Sequence, residues 1–183
     1  MKSKLPAILS VLLLFTAATF LMAAPKPAKS DKLPKRQIDK TKITWLPYDV
    51  GYSYAKAEKK HLFIDFTAVW CGWCKKMDKE TFQDTAVIRA VNENFIPVKV
   101  WGDTDSLLEF DGYKITQKDL AHTEFGVDGY PAFWFQSHEG RKVGPLPGYR
   151  DSATMLKVFD YVKEYKYDTT RTGNNAEKSE IKK

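Results

Sequence analysis

The alternation of apolar and polar positions divides the chain into a short series of elements. Residues 61–67, His-Leu-Phe-Ile-Asp-Phe-Thr, are almost continuously apolar, the pattern of a central strand covered on both faces. Residues 95–101 read the same way. Between them, residues 72–82 suit a helix turning Met77 and Phe82 to a core. Asp84 then caps a second helix with Ala86, Val87, Ala90 and Val91 in a stripe. An earlier helix is expected over 50–60, where Ala55 and Ala57 sit among charges. Residues 130–135 form a strand entered through Pro131, a position where a missing N–H is tolerated. His138-Glu139-Gly140 marks a turn and residues 141–146 a return strand. Asp151 or Ser152 caps a last helix with Met155, Leu156, Phe159 and Val162 on one face. Residues 102–126 contain Asp103, Asp105, Glu109, Asp111 and Gly112, and are expected as a solvated loop with a short helix from Thr116. Their acids lack the spacing and terminal glutamate of a calcium loop. The order strand–helix–helix–strand, then strand–strand–helix, implies an α/β domain with a central mixed β-sheet flanked by helices.

The ends differ from this middle. Lys2 and Lys4 precede an uncharged stretch from Leu5 to Ala24 that closes on Met22-Ala23-Ala24, the form of a cleavable signal peptide over 1–24. The expectation is therefore export, with an anchored form if the segment is kept. Residues 25–43, rich in proline and lysine, read as a linker, 44–166 as the domain, and 167–183 as a disordered tail. The net charge of +6 belongs to these ends: residues 44–165 hold 15 bases against 18 acids. No basic stripe crosses the folded part, so no nucleic-acid partner is expected.

The chain has two cysteines, both in Trp70-Cys71-Gly72-Trp73-Cys74. A pair this close closes too small a loop to restrain an unfolded chain much, so a structural staple is the weaker reading. The run 61–67 delivers Cys71 to the start of a helix. There unpaired N–H groups and the helix dipole lower a thiol pKa and make it a nucleophile. That setting points to redox chemistry. Lys75 stands where covalent haem attachment needs histidine, and no second paired-ligand motif supports zinc, so neither metal nor cofactor is expected. Asp65, an acid in an apolar strand, is costly to ionise there; an edge-of-strand acid in water is the alternative. Trp70 and Trp73 are either core residues or exposed contacts.

Asp65-Phe66-Thr67-Ala68-Val69-Trp70-Cys71-Gly72-Trp73-Cys74-Lys75, followed by Gly129-Tyr130-Pro131 and Gly148, resembles the thioredoxin superfamily over roughly residues 50–165. Trp-Cys-Gly-Trp-Cys-Lys-Lys-Met followed by Phe82 and Asp84 is similar to exported thioredoxin-like proteins. These include the group related to the C-terminal domain of the membrane thiol–disulfide interchange protein. The resemblance implies a thioredoxin fold and a periplasmic thiol–disulfide oxidoreductase acting on protein thiols and disulfides, with a membrane electron donor as a partner. It implies that Cys71 attacks, Cys74 resolves, Asp65 takes the Cys74 proton, and Lys99 lies near Asp65; an ordinary surface lysine is the other reading of Lys99. It implies substrate contact at Trp70, Gly72, Trp73, Tyr130 and Pro131, with a cis bond at Pro131, where the residue alone suggests trans. Gly72-Trp73 is neither Gly-Pro nor Pro-His. With no histidine between the cysteines, the dipeptide favours a reductase or electron carrier over an oxidase or isomerase. A non-catalytic binding module is the alternative of a different class.

Overall fold

The computed structural model describes residues 33–168. The expected signal peptide, the start of the linker and nearly all of the tail lie outside the described residues. In chain order the elements are α1 (Tyr48–Glu58), β1 (His61–Thr67), α2 (Gly72–Lys79), α3 (Thr85–Asn94) and β2 (Phe95–Trp101). They continue with β3 (Leu107–Phe110), β4 (Tyr113–Thr116), a single turn α4 (Gln117–Asp119), β5 (Ala132–Gln136), β6 (Lys142–Pro147) and α5 (Ser152–Lys163). The main sheet has the order β2-β1-β5-β6, with β1 and β2 parallel and the other pairings antiparallel. The central position of β1 accounts for its apolar run: all seven of its residues are buried.

Alternation along β1 sorts the core into two layers. Leu62, Ile64 and Phe66 face one side, with Ile96, Val98 and Val100 of β2 and with Tyr48 and Ala55 of α1. Helix α1 comes so close to the sheet that a Cβ at Gly51 would lie 2.3 Å from Val98 Cγ2. Phe63 faces the other side, among Met77, Phe82, Val87, Phe133, Met155 and Phe159. Asp65 shares that side with Phe63, beneath α2. Asp84 and Asp151 cap α3 and α5 through their carboxylates, accepting from the N–H of Ala86 and Val87 and from that of Thr154.

Two regions differ from the sequence expectation. Residues 102–126 are not a solvated loop: β3 and β4 form a hairpin whose Leu108, Phe110 and Ile115 pack into the layer under α1. Asp111 and Gly112 turn it at φ of 46° and 87°, the positive values a two-residue hairpin turn requires. Thr116 caps the helical turn that follows, as expected. Residues 33–43, expected as linker, lie against the domain. Arg36 is buried with its Nε 3.3 Å from Glu58 Oε1, and Asn92 Nδ2 donates to the carbonyls of Asp39 and Lys42. Burial of this arginine is tolerable because a carboxylate meets it. At the other end Asp168, expected in the tail, is buried and pairs with Arg141 at 2.7 Å, and Tyr167 bonds His61. Among the described residues no helix is long and apolar enough to cross a membrane.

Candidate active site

Strand β1 ends at Thr67, and Ala68 to Trp70 carry the chain to the head of α2. Val69 N–H donates to Asp103 Oδ2 at 2.8 Å and Cys71 N–H to Ala68 O at 3.0 Å, which fixes this turn. Cys71 is the N-cap of α2, its Sγ accepting from Cys74 N–H at 3.0 Å, and it is closed onto Cys74 as a disulfide. The two sulfurs are covered, Cys71 being 3% exposed and Cys74 4%. The residues around them are not: Val69 is 60% exposed, Trp70 70% and Trp73 58%. Both tryptophans thus lie at the surface rather than in the core. Trp73 leans on Tyr149 with the Lys76 ammonium over both rings. Gly72 is exposed, and a Cβ there would meet nothing within 4 Å.

The Tyr130–Pro131 bond is cis. The Tyr130 side chain packs against the cluster of Ala68, Cys71 and Cys74, and Trp70 meets its ring edge-on at 5.8 Å. Burial and the Asp103 charge hold the Tyr130 phenol above its ordinary pKa, so it stays protonated. Gly102 makes room for this ring: a Cβ there would come within 1.9 Å of the Tyr130 hydroxyl oxygen.

Asp65 is 2% exposed, and its cross-strand neighbour is Lys99. The lysine is no surface residue. Its Nζ sits 3.1 Å from Asp65 Oδ2 and 2.7 Å from Asp78 Oδ1, and it lies over the rings of Trp45 and Phe82. Burial pushes the Asp65 carboxyl up to about 6, with Lys99 pulling the other way. Burial alone would lower the Lys99 pKa, but Asp65 and Asp78 together raise it. The group is therefore two carboxylates about one ammonium, and it carries net negative charge once Asp65 ionises.

Asp78 was not legible as a site residue, because an acid four positions after Cys74 looks like an ordinary helix-surface charge. It borders a cavity of about 220 Å³ that Cys74, Thr67, Ala68 and Trp101 also line. That cavity brings the second cysteine and Asp78, the partner of Lys99, to one space. Gly102 and Tyr149 also escaped sequence reading, since each meets a residue distant in the chain, and the contact of His122 with Tyr130 was not legible either. The described residues contain no group of three or more His, Cys, Asp or Glu side chains placed to hold a metal ion.

The chain belongs to the thioredoxin-like domain family, whose sequence model matches residues 48–163. It is 27% identical over 140 residues to a protein disulfide-isomerase of Triticum aestivum, covering 75% of this chain and 23% of that protein. It is 30% identical over 90 residues to the thiol:disulfide interchange protein DsbD of Pseudoalteromonas atlantica, covering 49% of this chain and 13% of that one. A solved thioredoxin from Thermus thermophilus superposes with a TM-score of 0.55 at 27% identity, over 66% of this chain and 87% of that structure. The chain thus spans about a quarter or less of the length of the two curated relatives.

Proposed function

We propose that this protein is an exported thiol–disulfide oxidoreductase that reduces disulfides in other proteins. The observation that carries the reading is a closed Cys71–Cys74 pair at the start of α2, with a buried carboxyl tied through Lys99 to Asp78 of the same helix and the cis Tyr130–Pro131 bond beside the pair. The described disulfide is the oxidised end of the cycle. In the reduced enzyme the Cys71 thiolate, stabilised by the N–H groups of α2, attacks a substrate disulfide. A mixed disulfide forms and one substrate thiolate leaves. Cys74 then loses its proton toward Asp78, which borders the same cavity and is bridged by Lys99 to Asp65, and attacks Cys71 Sγ. The enzyme disulfide closes and the second substrate thiol departs. Two electrons have passed to the substrate, and an external dithiol must return them.

Exposed Val69, Trp70 and Trp73 supply an apolar rim for a protein partner, and an extended substrate strand pairs with the backbone before Pro131. The uncharged run 5–24 supports export to the periplasm. The likeness to an interchange protein supports a membrane electron donor.

The test is insulin reduction with dithiothreitol as donor. Wild type accelerates it and Cys71→Ser does not; equal rates reject the reading. The reduction potential sets direction: a value near about −270 mV, that of thioredoxin, fits a reductase, and one near about −120 mV an oxidase.

A further inference from the structure

Tyr130, which lies against the disulfide, is held at its hydroxyl by a histidine. His122 belongs to the π-helical turn Leu120–Glu124 that follows α4. It bridges two groups: Nδ1 meets the Val127 carbonyl at 2.5 Å and Nε2 meets the Tyr130 hydroxyl at 3.2 Å. A carbonyl only accepts, so in the neutral ring Nδ1 carries the proton and Nε2 accepts from the Tyr130 O–H. The Tyr130 ring then has two restraints, His122 at its hydroxyl and Trp70 at its edge, in the space that Gly102 leaves open. His122 itself is exposed, and it lines, with Trp70, Gly102 and Tyr130, a cleft of about 340 Å³ that opens beside the cis peptide bond. A surface histidine with both ring nitrogens engaged, one of them on the residue that touches the dithiol, does more than decorate a loop.

We propose that His122 is a positioning residue for the redox site: it holds the Tyr130 hydroxyl so that the ring and the backbone before Pro131 present one fixed face to a protein disulfide. The inference rests on the dithiol reading above. Loss of the link leaves Cys71 and Cys74 in place but lets Tyr130 sample other rotamers. Each substrate then pays the ordering cost on binding.

The experiment compares wild type, His122→Asn, His122→Gln, Tyr130→Phe and the double variant His122→Asn/Tyr130→Phe in insulin reduction. Asn can still donate to the Val127 carbonyl from the Nδ1 position but cannot reach Tyr130, whereas Gln places a polar atom where Nε2 was. The expected result for His122→Asn is a KM raised about threefold to tenfold, the worth of one neutral hydrogen bond, with kcat changed less than about twofold. His122→Gln restores most of the affinity. Tyr130→Phe shows the same KM rise, and adding His122→Asn to it has no further effect. A His122→Asn penalty that persists undiminished beside Tyr130→Phe overturns the proposal, because His122 would then act on loop stability and not through the hydroxyl. So does a KM equal to that of wild type. Failure of the wild type itself to reduce insulin would instead reject the oxidoreductase reading.

Discussion

The Lys99 ammonium lies 3.1 Å from the buried carboxylate of Asp65, at the register position directly across the parallel β1–β2 pair. Cross-strand placement in the centre of a sheet makes this contact a consequence of the fold rather than of two flexible side chains meeting. It sets the charge beside Asp78 of the helix that carries the two cysteines.

Asp65 gives a pH dependence of stability. Its carboxyl is pushed up to about 6 in the folded protein against 3.8 for the free group. The native state therefore holds that proton more tightly than the unfolded chain. The associated stability is fully present below pH 4 and is lost as pH rises through 6, by up to about 3 kcal/mol. Asp65→Asn should remove this loss, so urea unfolding at pH 5 and pH 8 should differ less for the variant than for wild type. Parallel pH profiles for the two proteins would exclude the assignment of the shift to Asp65.

Lys99 sets how far the acid is pushed. In Lys99→Met the pull of the ammonium is gone, so the Asp65 pKa rises further and the acid limb of insulin reduction moves to higher pH. A pH–rate profile reads this directly, and an unmoved acid limb would show that Asp65 does not govern the rate.

Residues 108, 110 and 115 separate a packed hairpin from a solvated loop. Leu108 and Phe110 are buried at 9% and 7% exposure. Phe110→Ala should cost about 3 kcal/mol, as for other core aromatics, and a truncation in a solvated loop within about 0.5 kcal/mol. Chemical denaturation of the single variant decides between them.

Gly102 links packing to activity. A Cβ at this position overlaps the Tyr130 hydroxyl, so Gly102→Ala must displace the ring that covers the disulfide. The expected outcome is a raised KM for insulin, with far-UV circular dichroism unchanged. An unaltered KM would mean that the position of the Tyr130 ring does not matter to substrate.

Much of the sheet was legible because burial on both faces leaves little room for polar residues: β1 and β2 have the bounds that their apolar runs marked. The helix caps at Asp84 and Asp151 were legible for a local reason, since a carboxylate before an apolar stripe satisfies the first N–H groups. The hairpin was obscured by its acids. Its signal was Asp111-Gly112 between Leu108-Glu109-Phe110 and Ile115, a turn dipeptide flanked by alternating apolar positions. Composition misled at residues 33–43, where lysine and proline suggest a linker and only the distant Glu58 and Asn92 explain the burial of Arg36. At the site, Cys71, Cys74 and Asp65 were readable from one continuous stretch. Asp78 and His122 were not, because their meaning depends on Lys99 and Tyr130, which the fold brings to them.

The reaction of the reduced protein with iodoacetamide, followed by mass spectrometry as a function of pH, tests most directly whether Cys71 is the attacking thiol. The account predicts that Cys71 is modified at pH 6 well ahead of both Cys74 and free cysteine, with an apparent pKa clearly below the ordinary value of about 8.5. Modification of Cys71 no faster than that of free cysteine across this range would contradict it.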